Sequence, residues 1–128
     1  MGNLPPVESA GTVVKTIIYN NPGLSAHVCV SGWDPYKGYQ IYDINQTGFM
    51  KTGMDINLGG SGSTFIKGYA DLHFKKNMTK AEARKFIIDG VQLAIKRDCS
   101  SGGNIRLIDI TEEKVTRDMI PYSEFTIR

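Results

Sequence analysis

The chain has 128 residues, with 15 Lys and Arg against 13 Asp and Glu, a net charge of +2. That length fits one domain, and so mild a positive balance gives no electrostatic case for nucleic acid. Its 41% hydrophobic content excludes wholesale disorder, no apolar run reaches membrane-spanning length, and no charged-then-apolar leader opens the chain. Glycine is in excess, at 14 residues against a usual share of about 7%. The glycines crowd between Gly32 and Gly68 and return at Gly102 and Gly103. Together these features describe a small, soluble, intracellular α+β domain with two glycine-marked loops, no internal repeat and no linker.

Met1 to Pro6 reads as a polar lead-in, and Pro6 stands where an N-myristoylation pattern needs Ser or Thr. Pro5 and Pro6 suit a first helical turn. Val7, Ala10, Val14, Ile17 and Ile18 then recur at helical spacing, and Asn20-Asn21-Pro22-Gly23 ends the helix. Ala26, Val28 and Val30 alternate with His27, Cys29 and Ser31, the pattern of a strand with one buried face. Asp34 to Gly38 is a turn, Tyr39 to Ile44 a second strand, and Asn45 to Gly48 another turn. Strand-like residues follow from Phe49 to Met54 and at Ile56 and Leu58. The spacing predicts an antiparallel meander.

After Gly59-Gly60-Ser61-Gly62-Ser63-Thr64, helical spacing returns at Phe65, Ile66, Tyr69, Leu72 and His73. Thr79 and Glu82 form a capping box, and Ala83, Phe86, Ile87, Gly90, Val91 and Ala94 make a core-facing stripe. Gly90 implies a close neighbour, because a helical glycine otherwise costs about 1 kcal/mol against alanine. Asp98-Cys99-Ser100-Ser101-Gly102-Gly103 is the second loop. Ile105 to Ile110 and Val115 to Ile120 pair as a hairpin across Glu112-Glu113. The nearly continuous apolar run Ile105-Arg106-Leu107-Ile108 predicts a strand covered on both faces.

Few side chains offer chemistry on local grounds. The first glycine loop leads from strand into helix, where backbone N–H groups attract anions. It lacks the Walker Gly-Lys-Ser/Thr and the third glycine of a dinucleotide fingerprint, so a turn with a Ser or Thr helix cap explains it better. His27 and His73 are the only histidines. His27 shares a strand face with Cys29, but neither histidine sits at metal-ligand spacing, and the two cysteines set out no disulfide framework. Asn45-Gln46-Thr47 and Asn77-Met78-Thr79 match the glycosylation pattern, with Thr79 better read as a cap. Asp98 with Ser100 and Ser101 has no histidine or lysine beside it to complete a nucleophile system.

Taken together, the two loops say more. Gly60-Ser61-Gly62-Ser63-Thr64-Phe65-Ile66-x-Gly68-Tyr69-x-Asp71, Met78-Thr79-Lys80 and Arg97-Asp98-x-Ser100-Ser101-Gly102-Gly103-x-Ile105-Arg106 closely resemble a proteasome β-type subunit. Val30-x-Gly32-Trp33-Asp34-Pro35 is also similar to that family, and the likeness runs from about Val7 to about Met119. Within the family the chain looks most like the eukaryotic subunit with post-acidic, caspase-like activity. The resemblance implies an N-terminal-nucleophile hydrolase with a four-layer α-β-β-α sandwich, here a single partial domain over 1–128 lacking its N-terminal strands and first helix. It implies a threonine endopeptidase of the core particle, without cofactor or metal, assembled with other β and α subunits in stacked seven-membered rings. Unfolded polypeptides would be its substrate, and cytoplasm and nucleus its location, with no nucleic-acid or membrane partner.

By the same resemblance, Ser61, Asp98 and Ser101 match the polar residues around the nucleophilic threonine. Asp98 and Ser101 would hold its amine and a water, Ser61 would complete the network, and Gly60, Gly62 and Gly102 would mark close backbone approach. Cys99 stands where close relatives usually carry glycine, and Lys67 where many carry tyrosine. The threonine itself, its acidic and lysine neighbours and the specificity-pocket wall lie in the part of the family pattern that these residues do not match. The 128 residues alone are therefore expected to be inactive. Two other functions remain open on the sequence: a non-catalytic module pairing through open sheet edges, and a small anion- or nucleotide-binding domain using the first glycine loop.

Overall fold

The computed structural model describes residues 4–128, so Met1, Gly2 and Asn3 of the lead-in lie outside the described residues. The elements are α1 (Val7–Tyr19), β1 (Val28–Asp34), β2 (Gly38–Ile44), β3 (Met50–Lys51), α2 (Ser63–His73), α3 (Lys80–Arg97), β4 (Ile105–Ile110) and β5 (Val115–Ile120). A 3-10 helix at Tyr122–Glu124 follows β5, and nothing in the sequence pattern announced it. The order of helix, meander, helical hairpin and β-hairpin is the one the sequence predicts. The residues fall into two compact units, one reaching to Asn57 and including Ile110–Val115, the other comprising Leu58–Asp109 and Thr116–Arg128.

In the first unit β1, β2 and β3 form an antiparallel sheet in that order. Val28 lies opposite Ile44, Val30 opposite Tyr42 and Gly32 opposite Gln40, which puts these residues on one face. Ile44 and Tyr42 are buried there, and full burial of a side chain such as Ile44 contributes about 1.5–3 kcal/mol. α1 packs on this face through Val7, Gly11 and Ile18. The expected stripe is therefore displaced: Ala10 and Ile17 are exposed. Gly11 brings the helix down onto Tyr42 and Met50, since a Cβ there would stand 3.0 Å from the Met50 Sδ. Of the predicted strand from Phe49 to Met54, only Met50–Lys51 pairs. Ile56 and Leu58 form no strand but lie half-buried in irregular chain.

Asp34 joins helix to sheet. Pro6 occupies the N-cap of α1 and has no side chain to offer the first turn. Asp34, wholly buried, supplies that acceptor from 27 residues away: its Oδ2 takes the Val7 N–H at 2.8 Å. The same carboxylate accepts from Tyr36 N, Lys37 N and Gln40 Nε2, closing the β1–β2 turn. Tyr42 Oη donates to Gln40 Oε1 at 2.7 Å, extending the network along the sheet.

In the second unit α2 and α3 form the helical hairpin. Thr79 caps α3, accepting the Glu82 N–H at 3.2 Å, which is one half of the predicted box. Asn77 takes a positive φ of 60° in the preceding turn, a conformation asparagine tolerates better than most residues. Between the helices Tyr69 stacks on Phe86 at 5.3 Å and donates its hydroxyl to the Phe86 carbonyl at 2.9 Å. Gly90 is the close approach that the sequence implied, with the Tyr69 ring 3.1 Å from where its Cβ would stand. Ile66 and Ala70 are the buried residues of α2, while Phe65 and Leu72 of the predicted stripe are exposed. Along α3, Ile87 is exposed and the polar Gln92 buried. Gln92 Oε1 accepts from Ile127 N and Thr126 Oγ1, and Phe125 is buried beside them in sequence.

β4 and β5 pair as expected, with Thr111 N donating to the Lys114 carbonyl across the turn. The strand Ile105–Ile110 is not covered on both faces. Ile105 and Leu107 are buried while Arg106 and Ile108 are exposed, the alternation of a sheet with one solvated side. Arg84 of α3 anchors the covered side by pairing with Asp118 and lying 3.9 Å from Asp109.

Candidate functional site

α3 delivers Asp98 to its C-terminal end, where the Asp98 N–H closes the last turn on the Ala94 carbonyl at 2.8 Å. The backbone then leaves the helix in an extended conformation, and Ser101 N donates back to the Asp98 carbonyl at 3.1 Å. This tight return brings the Ser101 hydroxyl to 2.6 Å from Asp98 Oδ2. The first glycine loop reaches the same oxygen from the other helix, with Ser61 Oγ also at 2.6 Å. Ser100 N donates to Oδ1 at 3.2 Å. Two loops 37 residues apart in sequence thus meet at one buried carboxylate.

The three residues picked out by resemblance, Ser61, Asp98 and Ser101, are brought together. Hydrogen bonds from Ser101 and then Ser61 hold the Asp98 carboxyl below its ordinary value, against the opposing effect of burial. It is therefore an anion at neutral pH, with both serines oriented as donors to it. Gly60 takes φ +92°, which a side chain would strain. Gly62 is required by crowding: a Cβ there would stand 3.0 Å from both Ala94 Cβ and Ser101 Oγ and 3.5 Å from Asp98 Oδ2. At Gly102 a Cβ would meet nothing within 4 Å. Cys99 is exposed on the same loop as a free thiol.

The loop does not contain the expected Ser or Thr helix cap. Gly62 is the N-cap of α2 and no side chain caps it. Ser61 is committed to Asp98, and Ser63 Oγ instead donates to the Gly60 carbonyl at 2.7 Å. Two N–H groups that could face an anion are used internally, Ser63 N on Gly60 O and Phe65 N on Gly62 O. With an ionised carboxylate at the same loop, the geometry argues against a phosphate there. The contributions of Ala94 and the Ser100 N–H had no signature in sequence, since one acts through its small size and the other through its backbone.

The other candidates are dispersed. His27 is exposed and pairs with Asp43 at 2.6 Å, and Cys29 is an exposed free thiol with Ser31 Oγ 3.5 Å from its Sγ. His73 packs against the Tyr69 ring at 4.9 Å. Among the described residues, no group of three His, Cys, Asp or Glu side chains could hold a metal ion, and no helix is long and apolar enough to cross a membrane. Asn45 spends its side-chain oxygen on Thr47 and on Phe49 N in its own turn.

Comparison with known proteins gives these loops a context. The family model described as Proteasome subunit matches residues 2–110. Human proteasome subunit beta type-9 is 44% identical over 121 residues, 94% of this chain and 54% of that protein. Proteasome subunit beta type-6 of Dictyostelium discoideum is 42% identical over 118 residues, 91% of this chain and 55% of that protein. The beta type-6 subunit of Arabidopsis thaliana is 38% identical over 121 residues, 94% and 52% of the two chains. The chain spans about half the length of these relatives. With a family match over most of its residues and β-type relatives along nearly all of them, the chain belongs to the proteasome subunit family, beside its β-type members.

Proposed function

We propose that this chain is part of a β-type subunit of the proteasome core particle, and that the whole subunit is a threonine endopeptidase. The observation that carries the reading is the convergence of Ser61 and Ser101 on one oxygen of Asp98, in a chain of this family. In this reading the α+β elements belong to one partial domain of a four-layer α-β-β-α sandwich. The nucleophile is an N-terminal threonine supplied from outside the matched residues. A terminal residue suits the task because its own amine, with an ordinary pKa of about 7.7–8.0, takes the hydroxyl proton near neutral pH. The hydroxyl oxygen attacks the peptide carbonyl, the amine returns the proton to the leaving nitrogen, and water then cleaves the ester.

Asp98 and Ser101 hold the threonine amine and its water, and Ser61 fixes the carboxylate that does so. Gly60 and Gly62 shape the loop on one side, and the open space at Gly102 leaves room for the incoming backbone. No cofactor or metal takes part. The assembled subunit cleaves unfolded polypeptides after acidic residues, within stacked seven-membered β and α rings, in cytoplasm and nucleus. The 128 residues alone are inactive.

A purified 128-residue chain of verified mass should leave a fluorogenic peptide with Asp or Glu before the scissile bond uncleaved. A tagged chain expressed in eukaryotic cells should appear in ring-sized assemblies by native mass spectrometry. Turnover by the chain alone would contradict the assigned nucleophile, and absence from every such assembly would overturn the core-particle reading. A second reading rests on β1, which among the described residues is paired on one side only. There the chain is a non-catalytic module that adds a partner strand at that edge, and a discrete heterodimer would favour it.

A further inference from the structure

The Asp98 cluster depends on two helices keeping one longitudinal register. Ser61 and Gly62 precede α2, whereas Asp98 follows α3, so a slide of either helix separates donor from acceptor. At 1.5 Å of rise per residue, a slip of one residue would carry a 2.6 Å bond to the edge of hydrogen-bonding range. Crowding at Gly62 limits how closely the loop and the end of α3 approach. Further along the hairpin, Tyr69 of α2 meets α3 at Phe86 and Gly90.

We propose that Tyr69 is a positioning residue for the Ser61–Asp98–Ser101 cluster, locking α2 on α3 at the one register that brings Ser61 to Asp98. Three contacts make the lock. The ring lies in the notch left by Gly90, 3.1 Å from where a Cβ would stand. It stacks on Phe86 with only 12° between the planes. Its hydroxyl donates to the Phe86 carbonyl at 2.9 Å. That carbonyl already belongs to the Phe86–Gly90 turn of α3, so the bond ties the tyrosine to backbone rather than to a mobile side chain. Burial, together with the Asp89 charge, raises the phenol's pKa and keeps it a donor. Ile66, one turn earlier, is also buried and lies 3.9 Å from the Gly90 notch. The lock is thus continuous with the packing that leads back to Gly62 and Ala94.

The role rests on the proposed function for its importance, but its test does not require catalysis. The readout is the Asp98 side-chain carboxyl, followed by 13C NMR against pH in the purified 128-residue chain, with near-UV circular dichroism reporting the fold. Tyr69→Phe keeps the ring and removes the tie to Phe86. Gly90→Ala fills the notch while adding helix propensity, and so remains informative if the first variant loses its fold. Both should move the Asp98 titration up, toward an ordinary carboxylate, as the Ser61 bond lengthens. Leu72→Ala, a change at an 81% exposed position of α2, should leave it unmoved. Folded Tyr69→Phe and Gly90→Ala chains whose Asp98 titrates as in the parent would overturn the proposal, as would an equal shift in Leu72→Ala. Failure of the chain to enter a ring or a peptidase would contradict the proposed function and leave this result standing.

Discussion

Asp34 and Asp98 are buried carboxylates whose hydrogen-bond donors the fold supplies. Asp34 collects Val7 N, Tyr36 N, Lys37 N and Gln40 Nε2. The Val7 N–H contributes most to pulling its pKa from 3.8 to about 2, while burial works against the shift. Because the folded value lies below the unfolded one, the stabilisation is complete above pH 3.8 and disappears as pH falls toward about 2. Asp98 acts in the same sense, through Ser101 and Ser61. An acid titration followed by circular dichroism should therefore show helix loss in that window. Asp34→Asn should flatten it and lower stability at neutral pH, since an amide keeps only one acceptor oxygen for donors that both carboxylate oxygens share. An unchanged acid transition in the variant would refute this role for Asp34.

At the scale of elements, periodicity located α1, α2 and α3 but did not settle which face each one buries. α1 shows why. Its contact line is Val7, Gly11 and Ile18, and a glycine carries no hydropathy signal, so the apolar residues suggested a stripe rotated toward Ala10 and Ile17. Close approach governs the helix–sheet packing at Gly32 as well, where a Cβ would stand 2.9 Å from Val7 Cγ2. Valine is stiff about χ1, so it cannot swing clear. Gly32→Ala should cost about 1–3 kcal/mol in urea unfolding, whereas Gly23→Ala, with open space around its Cβ, should be nearly neutral. The site was legible only through family likeness. Neither the 37-residue separation of Ser61 and Asp98 nor their residue types identify a pair, because the meeting depends on a helical register that a linear pattern does not encode. Asp34 was hidden for the same reason, as a cap supplied from a turn 27 residues away.

Over the whole molecule, the described strands are sparsely paired. β1 has a neighbour only in β2, and β4 and β5 have only each other. Exposed edges of this kind offer N–H and C=O groups to other strands. Large apolar side chains also lie open, including Leu72, Phe49 and Ile108. The purified chain should consequently self-associate as its concentration rises, measured by sedimentation velocity. Ser31→Lys, at an exposed position on the outer strand, should weaken that association by placing a charge at the edge. Association unaffected by this change would mean that β1 is not the adhesive edge.

The buried carboxylate at Asp34 also constrains the order of events during synthesis. α1 leaves the ribosome before β1 and β2, as a 13-residue segment of a length at which an isolated helix is marginal in water. The acceptor for its leading N–H emerges 27 residues later and reaches it only when β1 has turned into β2. The helix and the hairpin therefore mature as one cooperative unit. Until that turn closes, the nascent chain has little to keep α1 wound.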